Sequence, residues 1–146
     1  MNFNAEIAPL LPTGIYTIPE VSMVGQTAES LGANGVDFIV GHANYLETPR
    51  GEIVGERIGF LKLLFHREDM RLLGVHVIGE HATELAHIGL LAMLVGGGSD
   101  LFDRTCFNLP TLGDLYRIAN YKALLARRCG RKARDSNESP VSPLRN

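Results

Sequence analysis

The sequence lacks the features that mark several classes of protein. It contains neither the GxGxxG fingerprint of a dinucleotide site nor the GxxxxGK(S/T) loop of a nucleotide phosphate site. Its two cysteines, Cys106 and Cys129, form no CxxC pair and no disulfide framework, which is typical of a reducing compartment. No apolar stretch approaches the roughly 20 residues of a membrane-spanning helix, and the N-terminus has no basic and apolar signal-peptide regions. We therefore expect a cytoplasmic protein that does not bind a membrane.

Length and charge limit what the chain can contain. Its 146 residues, 45% of them hydrophobic, are enough for one ordinary folded domain. Chemistry that needs several domains must therefore be shared with another chain. Residues 1–114 carry 6 basic and 14 acidic residues, whereas residues 115–134 carry 7 basic and none acidic. Such a basic run can bind nucleic acid, but an acidic surface on the same chain or on a dimer mate balances it equally well, so we expect no nucleic-acid partner.

Apolar periodicity predicts strands in the first half of the chain and helices in the second. The clearest signal is a β-hairpin, in which Phe60–Phe65 and Leu72–Ile78 flank a polar turn. Thr27 is expected to cap a short helix, and Pro49-Arg50-Gly51 is expected to form a turn before a loop or short strand. Further extended segments are expected at 15–18, 21–24 and 36–40. This order predicts an α+β fold, with a mainly antiparallel sheet and helices packed on one face.

Three helices are predicted in the second half of the chain. Leu85, Ile88, Ala92 and Val95 would lie on the buried face of the first. The second would run from Ser99, as its cap, to Arg104. Thr111-Leu112-Gly113-Asp114 resembles a capping box, so the third would begin there and continue to about Arg128. We expect a lead-in at 1–13, one domain at 14–128 and a disordered tail at 129–146.

Few residues form a pattern that supports chemistry. His81, Glu84 and His87 follow one another at i, i+3 and i+6, but their directions spread over about 120° on a helix, so a polar helix edge is favoured over a metal site. Cys106 lies between Thr105 and Phe107 in an apolar stretch and is expected to be a buried, inert thiol. The residues alone therefore predict no catalytic group, no metal site and no self-contained active site.

Three blocks of sequence, in the same order, resemble one family. They are GIYTIPEVSMVGQT at 14–27, GFLKLLF at 59–65 with LGVHVIG at 73–79, and FNLPTLGDLYR at 107–117. Together they are similar to the C-terminal dimerisation domain of the flavin-dependent pyridine nucleotide–disulfide oxidoreductases, over about residues 8–128. Segments 12–20, 64–68 and 105–111 are most similar to the soluble, FAD-dependent NAD(P) transhydrogenase branch of that family.

The resemblance has one informative departure. Disulfide reductases of the family carry His-Pro-Thr-x-x-Glu in the last block, where the His–Glu pair acts as acid–base catalyst for the partner subunit. Here Leu109 occupies the histidine position and Asp114 the glutamate position. Leucine cannot transfer protons, so disulfide reduction is disfavoured, whereas hydride transfer through flavin needs no such group. The family implies that Leu109 and Pro110 approach the flavin of a partner subunit in a full-length parent.

The resemblance also implies cofactors and partners. A full-length parent would use FAD and NAD(P), bound by domains that precede this region in the family, and would transfer hydride between NADH or NADPH and NAD(P)+. We expect this chain to form a homodimer, to contact those FAD- and NAD(P)-binding domains, and to bind no cofactor and be inactive alone. Two alternatives remain: the interface domain of a dihydrolipoamide dehydrogenase-like reductase, and a free-standing module that binds another protein.

Overall fold

A five-stranded sheet is the platform on which the helices pack. The computed structural model describes residues 10–137, with side chains as far as Gly130. The strands are β1 (Thr13–Ile15), β2 (Val21–Gly25), β3 (Phe38–Asn44), β4 (Phe60–His66) and β5 (Leu72–Ile78). Their order in the sheet is β1-β2-β5-β4-β3, and every neighbouring pair is antiparallel. The predicted α+β fold is confirmed.

The β4–β5 hairpin lies at the centre of the sheet and confirms the clearest sequence prediction. Leu61 pairs with Val77, and Leu63 pairs with Val75. All four side chains are fully buried. Because side chains alternate between the faces of a strand, this register places them together on one face of the sheet.

Two long helices cover that face. The helices are α1 (Ala28–Ala33), α2 (Pro49–Val54), α3 (Ala82–Leu94), α4 (Ser99–Arg104) and α5 (Asp114–Asn137). α3 packs on β2 and β5, while α5 packs on β3 and β4. Buried residues of both helices and of the sheet form one hydrophobic cluster, as expected for helices on one face of an antiparallel sheet.

Two glycines allow the helices to lie directly on the sheet. A Cβ at Gly41 of β3 would overlap the backbone carbonyl of Ala119 in α5. A Cβ at Gly89 of α3 would overlap the side chain of Val75 in β5. Both helices therefore approach the strands more closely than any larger residue allows.

On the opposite face of the sheet, one row of paired residues across four strands contains three polar side chains. The register places Met23, His76, Lys62 and His42 side by side across β2, β5, β4 and β3. Burial lowers the pKa of His76 below its ordinary value, Lys62 acts in the same direction, and a hydrogen bond of 3.0 Å with the carbonyl of Gln26 opposes them. Burial in this row therefore favours the neutral form of the His76 imidazole.

Helix α2 contradicts the sequence prediction of a turn and a loop or short strand. Thr48 precedes it in extended geometry, and its hydroxyl accepts a hydrogen bond of 3.0 Å from the amide of Gly51. Pro49 occupies the first turn, where its missing N–H costs nothing, and Gly55 ends the helix in left-handed geometry. The turn-forming residues Pro49 and Gly51 are therefore used to start a helix.

Several other boundaries differ from the sequence predictions. β1 ends at Ile15, and β3 runs from Phe38 to Asn44 instead of 36–40. Gly98, not Ser99, caps α4. Helix α3 ends before Val95, which is exposed and does not belong to the buried face.

Helix α5 also differs at both ends. No capping box forms at Thr111, whose hydroxyl donates to the carbonyl of Asn108 at 2.7 Å, and the helix begins at Asp114. It continues through 129–137, where the sequence predicted a disordered tail. The remaining parts of the predicted lead-in and tail, 1–9 and 138–146, lie outside the described residues. None of the helices described between residues 10 and 137 is both long and apolar enough to cross a membrane.

A single hydroxyl joins α5 to α3. The Oη of Tyr116 donates to the carbonyl of Leu85 at 2.8 Å and accepts from the amide of Gly89 at 3.1 Å. Residues 85 and 89 are the carbonyl and amide that pair with each other in an ordinary α-helix. The tyrosine is fully buried, so its hydroxyl lies within the hydrogen-bond ladder of α3.

We predict that Tyr116→Phe destabilises the domain by about 1–3 kcal/mol, because it removes a hydroxyl that pairs two backbone groups in a buried site. The free energy of unfolding in urea, followed by circular dichroism, measures the change. Tyr121→Phe is the matched control, since Tyr121 lies on the same helix but is exposed. Equal stability of the two variants would contradict the prediction.

Candidate functional site

The segment between α4 and α5 forms an exposed apolar turn. Its residues include Leu109 and Pro110, which are joined by a cis peptide bond. Leu109 is 64% exposed. The turn is closed by the hydroxyl of Thr111, which donates to the carbonyl of Asn108. An apolar side chain is therefore presented to the surroundings by a short, internally bonded turn.

Aromatic packing fixes this turn to the body of the domain. The ring of Phe107 stacks on Tyr116, with centroids 6.4 Å apart and planes 18° apart. On the other side of the turn, Leu112 is buried in the main hydrophobic cluster. The exposed Leu109 thus lies between two anchored residues.

A cleft of about 400 Å³ lies beside the turn. One wall is Pro110–Gly113, and the other is formed by Leu85 and Ile88 of α3. Charged and titratable side chains at its edge come from Arg50 of α2 and from His81 and Glu84 at the start of α3. The cleft therefore has apolar walls with polar groups of both signs at its rim.

Asp114, at the acidic position of the closing motif, is fully engaged by its own helix. Arg117 donates from Nε to Oδ1 at 2.7 Å and from Nη2 to Oδ2 at 2.9 Å. The Asp114 side chain is buried, whereas that of Arg117 is half exposed. In this bidentate ion pair, both carboxylate oxygens of Asp114 accept a hydrogen bond from Arg117. The turn therefore offers an apolar contact and no acid–base pair.

The structure separates the other candidate residues. His81 and Glu84 reach the cleft, but His87 is not among its lining residues. No group of three or more potential metal ligands occurs within the part of the chain that the structure describes. Cys106 is exposed, which contradicts the expected burial, because its stretch follows the end of α4 along the surface.

Arg50 is a cleft residue that the sequence analysis missed. It lies in α2, where a turn was predicted, so no argument placed it near Pro110. The sequence did contain a signal for this helix. Thr48 is a residue suited to cap a helix, and Pro49 after it is suited to the first turn.

The fold and this turn define an α+β domain that has helices on one face of an antiparallel sheet and an exposed apolar turn beside them. Residues 11–119 match the family described as the pyridine nucleotide-disulphide oxidoreductase dimerisation domain. The matched residues make up most of the chain, and the chain belongs to this family.

Two similar proteins are both soluble pyridine nucleotide transhydrogenases. The chain is 45% identical over 124 residues to the soluble pyridine nucleotide transhydrogenase of Escherichia coli (strain SMS-3-5 / SECEC), which covers 83% of this chain and 27% of that protein. It is 47% identical over 119 residues to the corresponding protein of Marinomonas sp. (strain MWYL1), covering 80% and 26%. The chain thus spans about a quarter of the length of these relatives.

Solved structures share the fold. The HOCl-induced flavoprotein disulfide reductase RclA from Escherichia coli superposes with a TM-score of 0.72 at 22% identity, over 76% of this chain and 26% of that one. LpdA from Mycobacterium tuberculosis gives a TM-score of 0.72 at 21% identity, over 76% and 24%. At these identities the similarity establishes architecture.

We predict that Leu109→His introduces an imidazole with an ordinary pKa of about 6.5. Position 109 is exposed, and both oxygens of Asp114 already accept from Arg117, so the carboxylate of Asp114 is not free to stabilise the imidazolium. An NMR titration of the variant measures this pKa.

The control combines Leu109→His with Arg117→Gln, which releases the carboxylate. A rise of the pKa only in the double variant would show that Arg117 blocks an acid–base pair. A pKa raised by a full unit in the single variant would contradict the prediction.

Proposed function

We propose that this chain is the dimerisation domain of a soluble transhydrogenase, a flavoprotein that moves hydride between NADH or NADPH and NAD(P)+ through FAD. The observation that carries the proposal is the apolar turn at Leu109, in a chain 45% identical to soluble pyridine nucleotide transhydrogenases. FAD and NAD(P) would be bound by other parts of a longer protein, and none by this chain alone. The name of the relatives supports a soluble enzyme, and we propose that it is cytoplasmic.

Leu109 and Pro110 are proposed to contact the flavin of the partner subunit. Both are exposed and apolar, and the turn that holds them is anchored by Phe107 and Leu112. FAD supplies the hydride-accepting and hydride-donating chemistry when it is bound. The role of this chain would then be to place an apolar surface against the flavin ring. That surface would exclude water from one side of the ring, which favours hydride transfer over side reactions.

The chemistry of the turn argues against a disulfide reductase. Reducing a disulfide requires a group that protonates the leaving thiolate and later accepts the proton. Leu109 has no such group, and the carboxylate of Asp114 is held by Arg117. Hydride transfer between two nicotinamides through flavin does not need this proton relay, so the residues present fit the transhydrogenase.

Self-association is proposed to use the second half of α3. Leu91 and Leu94 are exposed there, as is Val95 directly after the helix, at 76%. Leu91 and Val95 border a groove of about 320 Å³ that is also lined by Leu101, Phe102 and Phe107. A symmetric dimer would bury this surface twice and bring each Leu109 turn to the edge of the partner. The groove and the turn share Phe107, so dimerisation and site assembly are coupled.

A free-standing interaction module would use the same exposed surfaces without flavin. The two hypotheses differ in what the domain does when it is joined to nucleotide-binding domains. A domain that serves only as an interaction module would not support hydride transfer when it is joined to nucleotide-binding domains.

We predict that the isolated chain is a dimer at high micromolar concentration and that Leu91→Glu makes it monomeric. In a symmetric interface each substitution places two carboxylates in an apolar contact, so the dissociation constant should rise by more than about 100-fold. Sedimentation velocity measures the change. Val40→Glu, on the opposite face of the sheet, is the control and should remain dimeric. A wild-type chain that is monomeric under these conditions would contradict the proposal.

We predict transhydrogenase activity in a chimera. Residues 11–146 of this chain would replace the matching region of the Escherichia coli relative. The chimera should retain FAD and reduce thionicotinamide adenine dinucleotide with NADPH, but should not reduce lipoamide. Leu109→Asp places a charge against the flavin and should lower kcat by about tenfold or more, since an unpaired charge in a dry contact is strongly disfavoured. Lipoamide reduction by the chimera would favour the dihydrolipoamide dehydrogenase-like alternative.

A further inference from the structure

The face of the sheet opposite α3 and α5 carries polar side chains that the proposed function does not use. We call them the Lys62 row, and its members are His42, Lys62 and His76, on β3, β4 and β5. Lys62 is the central member and pairs with one histidine on each side. Because α3 and α5 pack on the other face, the row lies apart from the proposed dimer surface.

The register brings the three side chains close together. The amide of Tyr45 donates to the carbonyl of Gly59, so the hydrogen-bonded pairs between β3 and β4 fall at odd-numbered residues of β3. His42 and Lys62 are therefore a non-hydrogen-bonded pair, in which the Cα atoms are about 4.5 Å apart and the side chains approach each other most closely. His76 pairs with Lys62 from the strand on the other side, about 4.8 Å away. One cation thus has an imidazole on either side.

Neighbouring groups hold both imidazoles. Nε2 of His76 donates to the carbonyl of Gln26 at 3.0 Å, so its Nδ1 is an acceptor while the ring is neutral and becomes a donor when the ring is protonated. The ring of His42 packs on Phe60, with centroids 4.9 Å apart. All members of the row are half-buried, and charges interact more strongly there than in bulk water.

The ammonium of Lys62 is not neutralised by direct contact with a carboxylate. It forms no ion pair with any side chain of residues 10–130. Glu29 of α1 is exposed, and its charge acts on the row, but the two side chains form no ion pair. On the other side of the row, Lys122 is already paired with Glu47. The row therefore offers one cation that is free to take an external anion.

His76 responds to this positive charge. Burial is the main cause that lowers its pKa, and the charge of Lys62 acts in the same direction. The hydrogen bond with Gln26 and the charge of Glu29 oppose this shift. A bound anion would cancel the effect of Lys62 and favour the imidazolium.

His42 responds in the same way. Burial lowers its pKa first, and the charges of Lys122 and Lys62 act in the same direction, whereas the charge of Glu47 opposes them. An anion above Lys62 would again favour the protonated ring, which could then donate to it. Anion binding at the row is thus coupled to the uptake of protons by two histidines.

We propose that the Lys62 row binds a phosphate group, with the ammonium of Lys62 as its counterion and the two imidazoles as further donors. Charge-assisted hydrogen bonds to phosphate oxygens are short and strong, and a tetrahedral oxyanion presents oxygens to donors on several sides. Three strands span about 10 Å, which is room for one such group. The site is independent of the proposed function, since it uses only residues of this chain.

NMR titration of the intact chain with inorganic phosphate, at constant ionic strength, tests this site. Saturating phosphate should raise the pKa of His42 and of His76 by about half a unit or more, because the bound anion favours the imidazolium. Lys62→Gln should weaken phosphate binding by about tenfold or more, whereas Lys62→Arg should retain it. The affinity is measured from chemical shifts at one pH, since the substitution itself changes the charge that acts on the histidines.

Arg71→Gln is the matched control. It also removes one exposed positive charge, but Arg71 borders a cavity on the helix side of the sheet, together with Met93 of α3. This variant should bind phosphate as the unsubstituted chain does. Glu29→Gln changes the affinity in the opposite direction, because it removes a negative charge beside the row. It should tighten binding at low salt, with a smaller effect at high salt.

Adenosine 5′-monophosphate distinguishes two sources of the phosphate group. Tighter binding than that of inorganic phosphate, with shifted ring signals of Phe60, would assign the row to a nucleotide, and equal or weaker binding would assign it to free phosphate. Three results would overturn the proposal: no saturable change of the histidine signals up to about 20 mM phosphate, the same change with chloride, or an unchanged affinity in Lys62→Gln. The activity of the chimera plays no part in this test, so the phosphate site and the transhydrogenase function can fail separately.

Discussion

The hydroxyl of Tyr116 is the interaction on which the second half of the domain depends. It lies between the carbonyl of Leu85 and the amide of Gly89, and so makes two hydrogen bonds between α5 and α3. Its ring stacks on Phe102, with centroids 5.2 Å apart, and on Phe107. One residue of α5 therefore contacts α3, α4 and the turn that carries Leu109. The requirement for glycine at position 89 follows, because Val75 and this hydroxyl leave no space for a Cβ.

A second tyrosine has a similar role at the other end of the sheet. Tyr45 is fully buried, and its hydroxyl donates to the carbonyl of Glu80 at 2.8 Å. Gly59 and Gly79 lie against its ring, where any Cβ would overlap it. Because Glu80 directly precedes His81, the N-cap of α3, Tyr45 holds that end of the helix, while Tyr116 contacts its middle. The cleft beside Pro110 depends on this position of α3, because Leu85 and Ile88 form one of its walls.

The sequence predicted those parts of the fold in which local pattern and packing agree. The β4–β5 hairpin alternates strongly, and the α+β order follows from it. Helix α2 was missed because Pro49 and Gly51 favour a turn locally, and only the cap at Thr48 reverses that preference. Val95 was assigned to the core because helical periodicity detects an apolar side chain but does not distinguish a core from a partner surface. The closing motif could be recognised at Leu109, but the pairing of Asp114 with Arg117 required the geometry.

The basic residues of α5 are partly balanced by contacts within the domain. Lys122 pairs with Glu47, and Arg127 donates to the carbonyl of Glu68, so two cations of α5 are bound to the acidic body. Arg117 is similarly bound to Asp114. Since phosphate binding requires cations that are free to neutralise it, these three contribute little to a nucleic-acid surface. These contacts of the basic run therefore stabilise the packing of α5 on the rest of the domain.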